Sequence, residues 1–175
     1  MKNLLRLVAL ASLVLFVATA LPAQTNKQAP CTAPEYRQLD FWVGDWDAFD
    51  VDDQKVPAAR AHVTSILQGC SLLEDYQQID GLHGQSFSTY DRSRNVWHQT
   101  WVTNRGSLLV VEGKMEGDKL VLRGTANILK ADYRVTWERD SKGVRETAVA
   151  SKDGGKTWEP VFDMVFRPHS ATEGK

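Results

Sequence analysis

From residue 41 onward the apolar positions recur with period two, and the three- or four-residue spacing of an amphipathic helix is almost absent. Turn chemistry interrupts the alternation every 8–12 residues, which predicts strands over 42–51, 60–67, 71–79, 84–90, 95–103, 107–114, 118–126, 131–139, 143–151 and 156–166. The breaks at 91–95, 104–106, 116–118, 140–143 and 153–155 all contain Gly, Asn or Asp, which supply the positive φ that tight hairpins need. Only 33–39 has the character of a short helix.

About ten sequential antiparallel strands fit either a sandwich or a closed barrel. The short links favour a single up-and-down antiparallel barrel, because a sandwich needs some longer crossovers. Closure also removes the exposed edges at which strands aggregate. There is no Gly-rich phosphate loop and no strand–helix alternation, so nucleotide-binding α/β folds are excluded. The fold class expected is all-β.

The first residues follow another pattern. Lys2 and Arg6 precede an uncharged run of 14 residues over 7–20, shorter than the ~20 residues that span a bilayer. Residues 1–23 read as a secretory signal peptide, with cleavage after Ala20 or Ala23. No Cys ends the apolar run, so no lipoprotein anchor is expected, and no stable membrane anchor remains after cleavage. Residues 24–35 form a polar, proline-containing linker, 36–168 the barrel domain and 169–175 a polar tail. The expected location is the periplasm or the exterior.

Composition then narrows the partners. The 175 residues carry 21 Lys and Arg against 22 Asp and Glu, a formal charge of −1. Removing residues 1–23 leaves 152 residues with a charge of −3. Such a balance excludes a strongly basic nucleic-acid binder and offers no polybasic membrane patch. Both cysteines, Cys31 and Cys70, fall in the exported part, where an oxidising compartment favours one disulfide between them. It would close a loop of about 40 residues and contribute about 3–4 kcal/mol.

Gly44-x-Trp46, within Phe41-Trp-Val-Gly-Asp-Trp46, resembles the short signature that opens the first strand of calycin barrels such as lipocalins. That resemblance implies a Gly at the barrel floor, a plugging Trp46 indole and an Arg from the last strand stacked on it, a place that Arg167 occupies in the chain. The longer pattern 38–47, with Gly69-Cys70, Glu74, Gly84-x-Ser86, Tyr90-Asp91, Trp97-x-Gln99-x-Trp101-Val102 and Ser151-x-Asp153-Gly-Gly-x-Thr-Trp158, resembles a family of exported bacterial proteins of unknown function with a calycin-like barrel. The resemblance implies a fold and no activity. Residues 151–158 are also similar to the Asp-box of sialidase propellers. A single copy excludes a propeller and marks a turn staple, in which Asp153 accepts turn amides, Gly155 takes the left-handed position and Trp158 packs beneath.

The strand Trp97-His-Gln-Thr-Trp101 carries the best candidate site. Trp97, Gln99 and Trp101 point to one face, where two indoles flanking an amide could hold a flat ligand. Glu74, Tyr76 and Ser86 or Tyr90 on neighbouring strands could add polar groups. The four histidines, His62, His83, His98 and His169, show no zinc-type spacing. His169 sits where some small haem-binding barrels of the calycin type place their iron ligand, but its Pro168 and the polar tail read as a frayed surface residue. No metal or cofactor is expected. No catalytic triad can be assigned, since Ser86 lacks a Gly-x-Ser-x-Gly elbow. Three readings follow: a barrel that binds a small, partly apolar ligand; an enzyme using Glu74 as acid or base with Asp75 or Asp91 as second carboxylate; or a structural, partner-binding barrel packed solid by its tryptophans.

Overall fold

The computed structural model describes residues 30–126 and 129–170. The expected signal segment, the first half of the linker and the last five residues of the tail lie outside the described residues. Ten strands follow in chain order: β1 Gly44–Asp50, β2 Ala59–Ile66, β3 Ser71–Gln78, β4 His83–Asp91, β5 Val96–Thr103, β6 Leu108–Glu116, β7 Lys119–Ala126, β8 Ala131–Asp140, β9 Gly143–Ser151 and β10 Glu159–Pro168. Each pairs antiparallel with its successor, and β10 pairs with β1 to close the barrel. This up-and-down closed barrel is the architecture that the alternation and the short links predict, and it is consistent with a calycin-like fold.

Three departures have local causes. The expected helix over 33–39 is a single 3₁₀ turn, Pro34–Arg37, held by bonds from the Tyr36 and Gln38 amides to carbonyls three residues back. A turn this short cannot offset the cost of nucleating an α-helix. A second 3₁₀ turn, Asp40–Trp42, delays β1 to Gly44. The break at 140–143 does not use a positive φ at Gly143. Glycine is needed there for space, because a Cβ would lie 2.0 Å from the Phe166 carbonyl oxygen. Elsewhere the expected positive φ is present, at Asn95, Gly106, Gly117 and Gly155.

One end of the barrel is packed solid. Trp42 stacks on Trp46 with centroids 5.7 Å apart and meets Phe166 edge-on at 4.6 Å. The Trp46 indole donates to the Trp42 carbonyl at 2.9 Å. Leu39, Trp97, Leu120, Trp137 and Val144 fill the rest of this floor. Gly44 lies at φ 155°, and a Cβ on it would come within 3.1 Å of the Trp46 ring. The partner stacked on Trp46 is therefore Trp42. Arg167 instead sends its guanidinium to the Asp140 carboxylate, because the β1–β10 register pairs Arg167 with Asp47 and puts its side chain on the outer face. The Cys31–Cys70 disulfide ties the approach to the barrel onto the β2–β3 connection, where Arg37 also donates to the Gly69 carbonyl.

The inward positions of β4 are small, with Gly84, Ser86 and Ser88 in sequence, and those of β1 and β2 include Ala48, Ala59 and Ala61. The usual polarity is locally reversed here. Ser86, Ser88 and Gln99 are buried, while Phe87, Val102, Leu108 and Val110 on the outside of β4–β6 are exposed. Small side chains on these strands leave the other end of the barrel open.

Candidate functional site

The open end holds a cavity of about 430 Å³, within the usual range for small-molecule sites. Asp50, Ala58, Gln78 and Leu82, at the ends of β1 to β4, line its mouth. Its walls are largely apolar and aromatic, from Tyr76, Trp101, Leu109, Tyr133, Val135, Phe162, Met164 and Phe166. Trp101 leans over Gly84, where a Cβ would lie 2.2 Å from the ring, and meets Tyr76 edge-on at 5.8 Å. Glycine at 84 thus makes the space in which the indole lies.

The polar side of the cavity is built by β3, β4, β5 and β9. Glu74 on β3 is 7% exposed and accepts a hydrogen bond from the Ser86 hydroxyl at 2.7 Å on one carboxylate oxygen. Gln99 backs this pair through its amide, 3.2 Å from the Ser88 hydroxyl and 3.4 Å from that of Ser86. Glu146 on β9 faces the same space from across the barrel, between the buried Val144 and Ala148 of its strand. Among the described residues no side chain or amide bonds the Glu146 carboxylate, and none bonds the hydroxyls of Tyr76 or Tyr133. The second oxygen of Glu74 is likewise without a partner.

Burial pushes the Glu74 carboxyl up to about 7; the Ser86 hydrogen bond opposes this and the neighbouring Asp75 adds to it. Glu146 is raised well above the ordinary carboxylate range, first by burial and then by the charge of Glu74. The Tyr76 and Tyr133 phenols are raised by burial, with Glu146 the next cause for both. Two carboxyl groups and two phenols therefore sense one another inside the barrel. Near neutral pH such a pair of acids holds a proton that can be given up or taken back.

Of the residues singled out in the sequence, Glu74, Tyr76, Gln99 and Trp101 line the cavity, and Ser86 stands directly behind Glu74. Trp97 and Tyr90 are not part of it. Trp97 is buried in the floor, donating to Gln38 at 2.9 Å and packed against Tyr90, whose ring also meets Tyr36. The reason is height: residues 97 and 101 share a face but lie ~13 Å apart along the strand. The Trp97 end reaches the plug and the Trp101 end the opening. The expected second carboxylates also point away. Asp75 faces outward to Gln77, His83 and Gln85, and Asp91 caps the β4–β5 turn by bonding Ser93 and Arg94.

Glu146 is the residue that the sequence reading passed over. Its signal is the run Val144-x-Glu146-x-Ala148, an acid on the inward-facing parity of a predicted strand. The histidines lie outside the cavity, each beside a carboxylate: His62 with Asp45, His83 with Asp75, His98 with Glu112 and His169 with Asp47. His169 is not frayed, since its amide also donates to the Asp45 carbonyl at 2.9 Å and extends the β1 pairing. The residue 151–158 turn has the expected staple, with Asp153 accepting the Lys156 and Thr157 amides at 3.0 and 2.9 Å. Trp158 there donates to the Gly155 carbonyl and lies under Arg134, away from the cavity. No group of three or more His, Cys, Asp or Glu placed to hold a metal ion occurs among the described residues. Compared with protein-family models and with curated proteins, the chain gives no match.

Proposed function

We propose that this protein is an exported barrel that binds a small, partly apolar molecule in its open half. The observation that carries the reading is a cavity of about 430 Å³ whose walls are aromatic and whose inward polar groups, Glu146, Tyr133 and Tyr76, have no protein partner among the described residues. Buried polar groups are normally satisfied, so groups left free at a cavity wall are available to a ligand. The Cys31–Cys70 disulfide supports an oxidising compartment, periplasmic or extracellular. So do the signal-like first 23 residues and the resemblance to exported bacterial barrels. The solid floor confines packing to one end, which argues against a purely structural barrel.

Calorimetry against a set of small amphiphiles tests this, with Trp101→Ala as the variant that strips one wall. Saturable binding weakened by the variant supports the reading. A set in which nothing binds at millimolar concentration refutes it.

The Glu74–Glu146 pair also favours a second reading, acid–base catalysis on the bound molecule, because a carboxyl titrating near neutrality is suited to proton transfer. Turnover in a metabolite screen that Glu74→Gln abolishes, with binding retained, would select it over passive binding.

A further inference from the structure

We infer that the ligand is a monocation, an amine carried on an aromatic or alkyl body, with its charged nitrogen between Glu74 and Glu146. This rests on the proposal that the cavity is a binding site, and adds the charge and class of what it takes.

The argument begins with sign. Three carboxylates, Asp50, Glu74 and Glu146, are among the residues lining the cavity, and among the described residues no Lys, Arg or His lines it. Elsewhere on the barrel, acids facing solvent are commonly matched, as in Arg94 with Asp91 and Glu112, Lys119 with Glu138, and Arg145 with Asp163. Inside the cavity the matching stops. A charge taken out of water is costly unless it is paired, and among the described residues no cation pairs with Glu74 or Glu146. A ligand that brings one positive charge supplies the missing partner, and the two acids together can meet more than one of its N–H groups.

The second observation is the set of free acceptors. Tyr133 is 6% exposed, lines the cavity and has no hydrogen-bond partner among the described residues, although its phenol senses the Glu146 charge. Tyr76 stands in the same relation to Glu146 and Glu74. Hydroxyl and carboxylate oxygens lining one cavity make it rich in acceptors, which suits a group that only donates, as an ammonium does. The walls include Tyr76, Trp101, Tyr133 and Phe162, aromatic residues of a type that favours a cation and can bury its apolar body. An anionic ligand would be repelled by whichever of the two acids is ionised and would find no cationic side chain among the described lining residues.

The test uses three probes of one shape that differ only at the head group: 4-phenylbutylamine, 4-phenylbutanol and 4-phenylbutyrate, titrated calorimetrically at pH 8 into the disulfide-bonded protein. The amine should bind about tenfold or more tightly than the alcohol, and the carboxylate more weakly than either. In the double variant Glu74→Gln/Glu146→Gln the amine preference should vanish while the alcohol still binds. Retained alcohol binding also shows that the variant is folded. If the alcohol binds as well as the amine in the unaltered protein, or if the preference survives the double substitution, the cationic assignment fails and the cavity remains a binding site. If none of the three binds, both the assignment and the binding reading fall.

Discussion

The Glu74→Gln substitution tests the electrostatics of the cavity without any ligand. The folded protein raises this carboxyl from its ordinary 4.5 to about 7. Between those values the native state binds more protons than the unfolded chain, so stability falls as pH rises. The contribution is fully present below about pH 4.5 and is lost as the pH passes through about 7. Between pH 5 and pH 8 the unaltered protein should therefore lose about 2–3 kcal/mol through this one group, with Glu146 adding a loss of the same sign. Glu74→Gln removes the titration, keeps an acceptor for the Ser86 hydroxyl and relieves Glu146 of its nearest charge. Urea unfolding at pH 5, 6, 7 and 8 should show a steep decline in the parent and a shallow one in the variant. The four surface histidines are common to both proteins and cancel in the difference. Ser86→Ala gives the opposite control, since its hydroxyl favours the charged form, and its loss should move the decline to higher pH. Parallel pH profiles for parent and Glu74→Gln would show that Glu74 is not held in its neutral form, and would remove the basis for a proton-holding pair.

Three further outcomes follow from the same geometry. Replacing Cys31 and Cys70 by Ser opens a link between residues 39 apart in sequence and should cost about 4 kcal/mol, read as a lower urea midpoint that reductant no longer affects. Gly84→Ala places a methyl against the Trp101 ring, where the Cβ would lie 2.2 Å from it; the barrel should fold, but tryptophan emission and the affinity for any cavity ligand should both change. An unchanged spectrum would mean that the indole does not lie over residue 84. Asp153→Ala removes the acceptor of the Lys156 and Thr157 amides, so those amides should exchange faster while the core strands keep their protection.

The strand boundaries were legible because each hairpin carries its own turn chemistry and each strand its own alternation, both local properties. Gln99 and Trp101 were legible as a shared face for the same reason. Arg167 was not, because its place in the chain at the end of the last strand does not say which way its side chain turns. The β1–β10 pairing directs it outward to Asp140. Parity alone also fails to identify the wet face of β4, where the exposed Phe87 alternates with the buried Ser86 and Ser88.

What the amino-acid sequence determined by itself is the ten-strand alternation, the turns and the two cysteines that can pair. What only the tertiary structure decided is height within the barrel and what faces what across it. Trp97 and Trp101 have the same parity on the same strand, yet one plugs the floor and the other borders the cavity. Glu74 and Glu146 are separated by 72 positions in the chain and by five of the ten strands. They share an interior only because β10 closes onto β1. Local sequence sets the period of a strand. Closure sets which side chains share the enclosed, weakly solvated space, and there two ordinary glutamates become coupled acids.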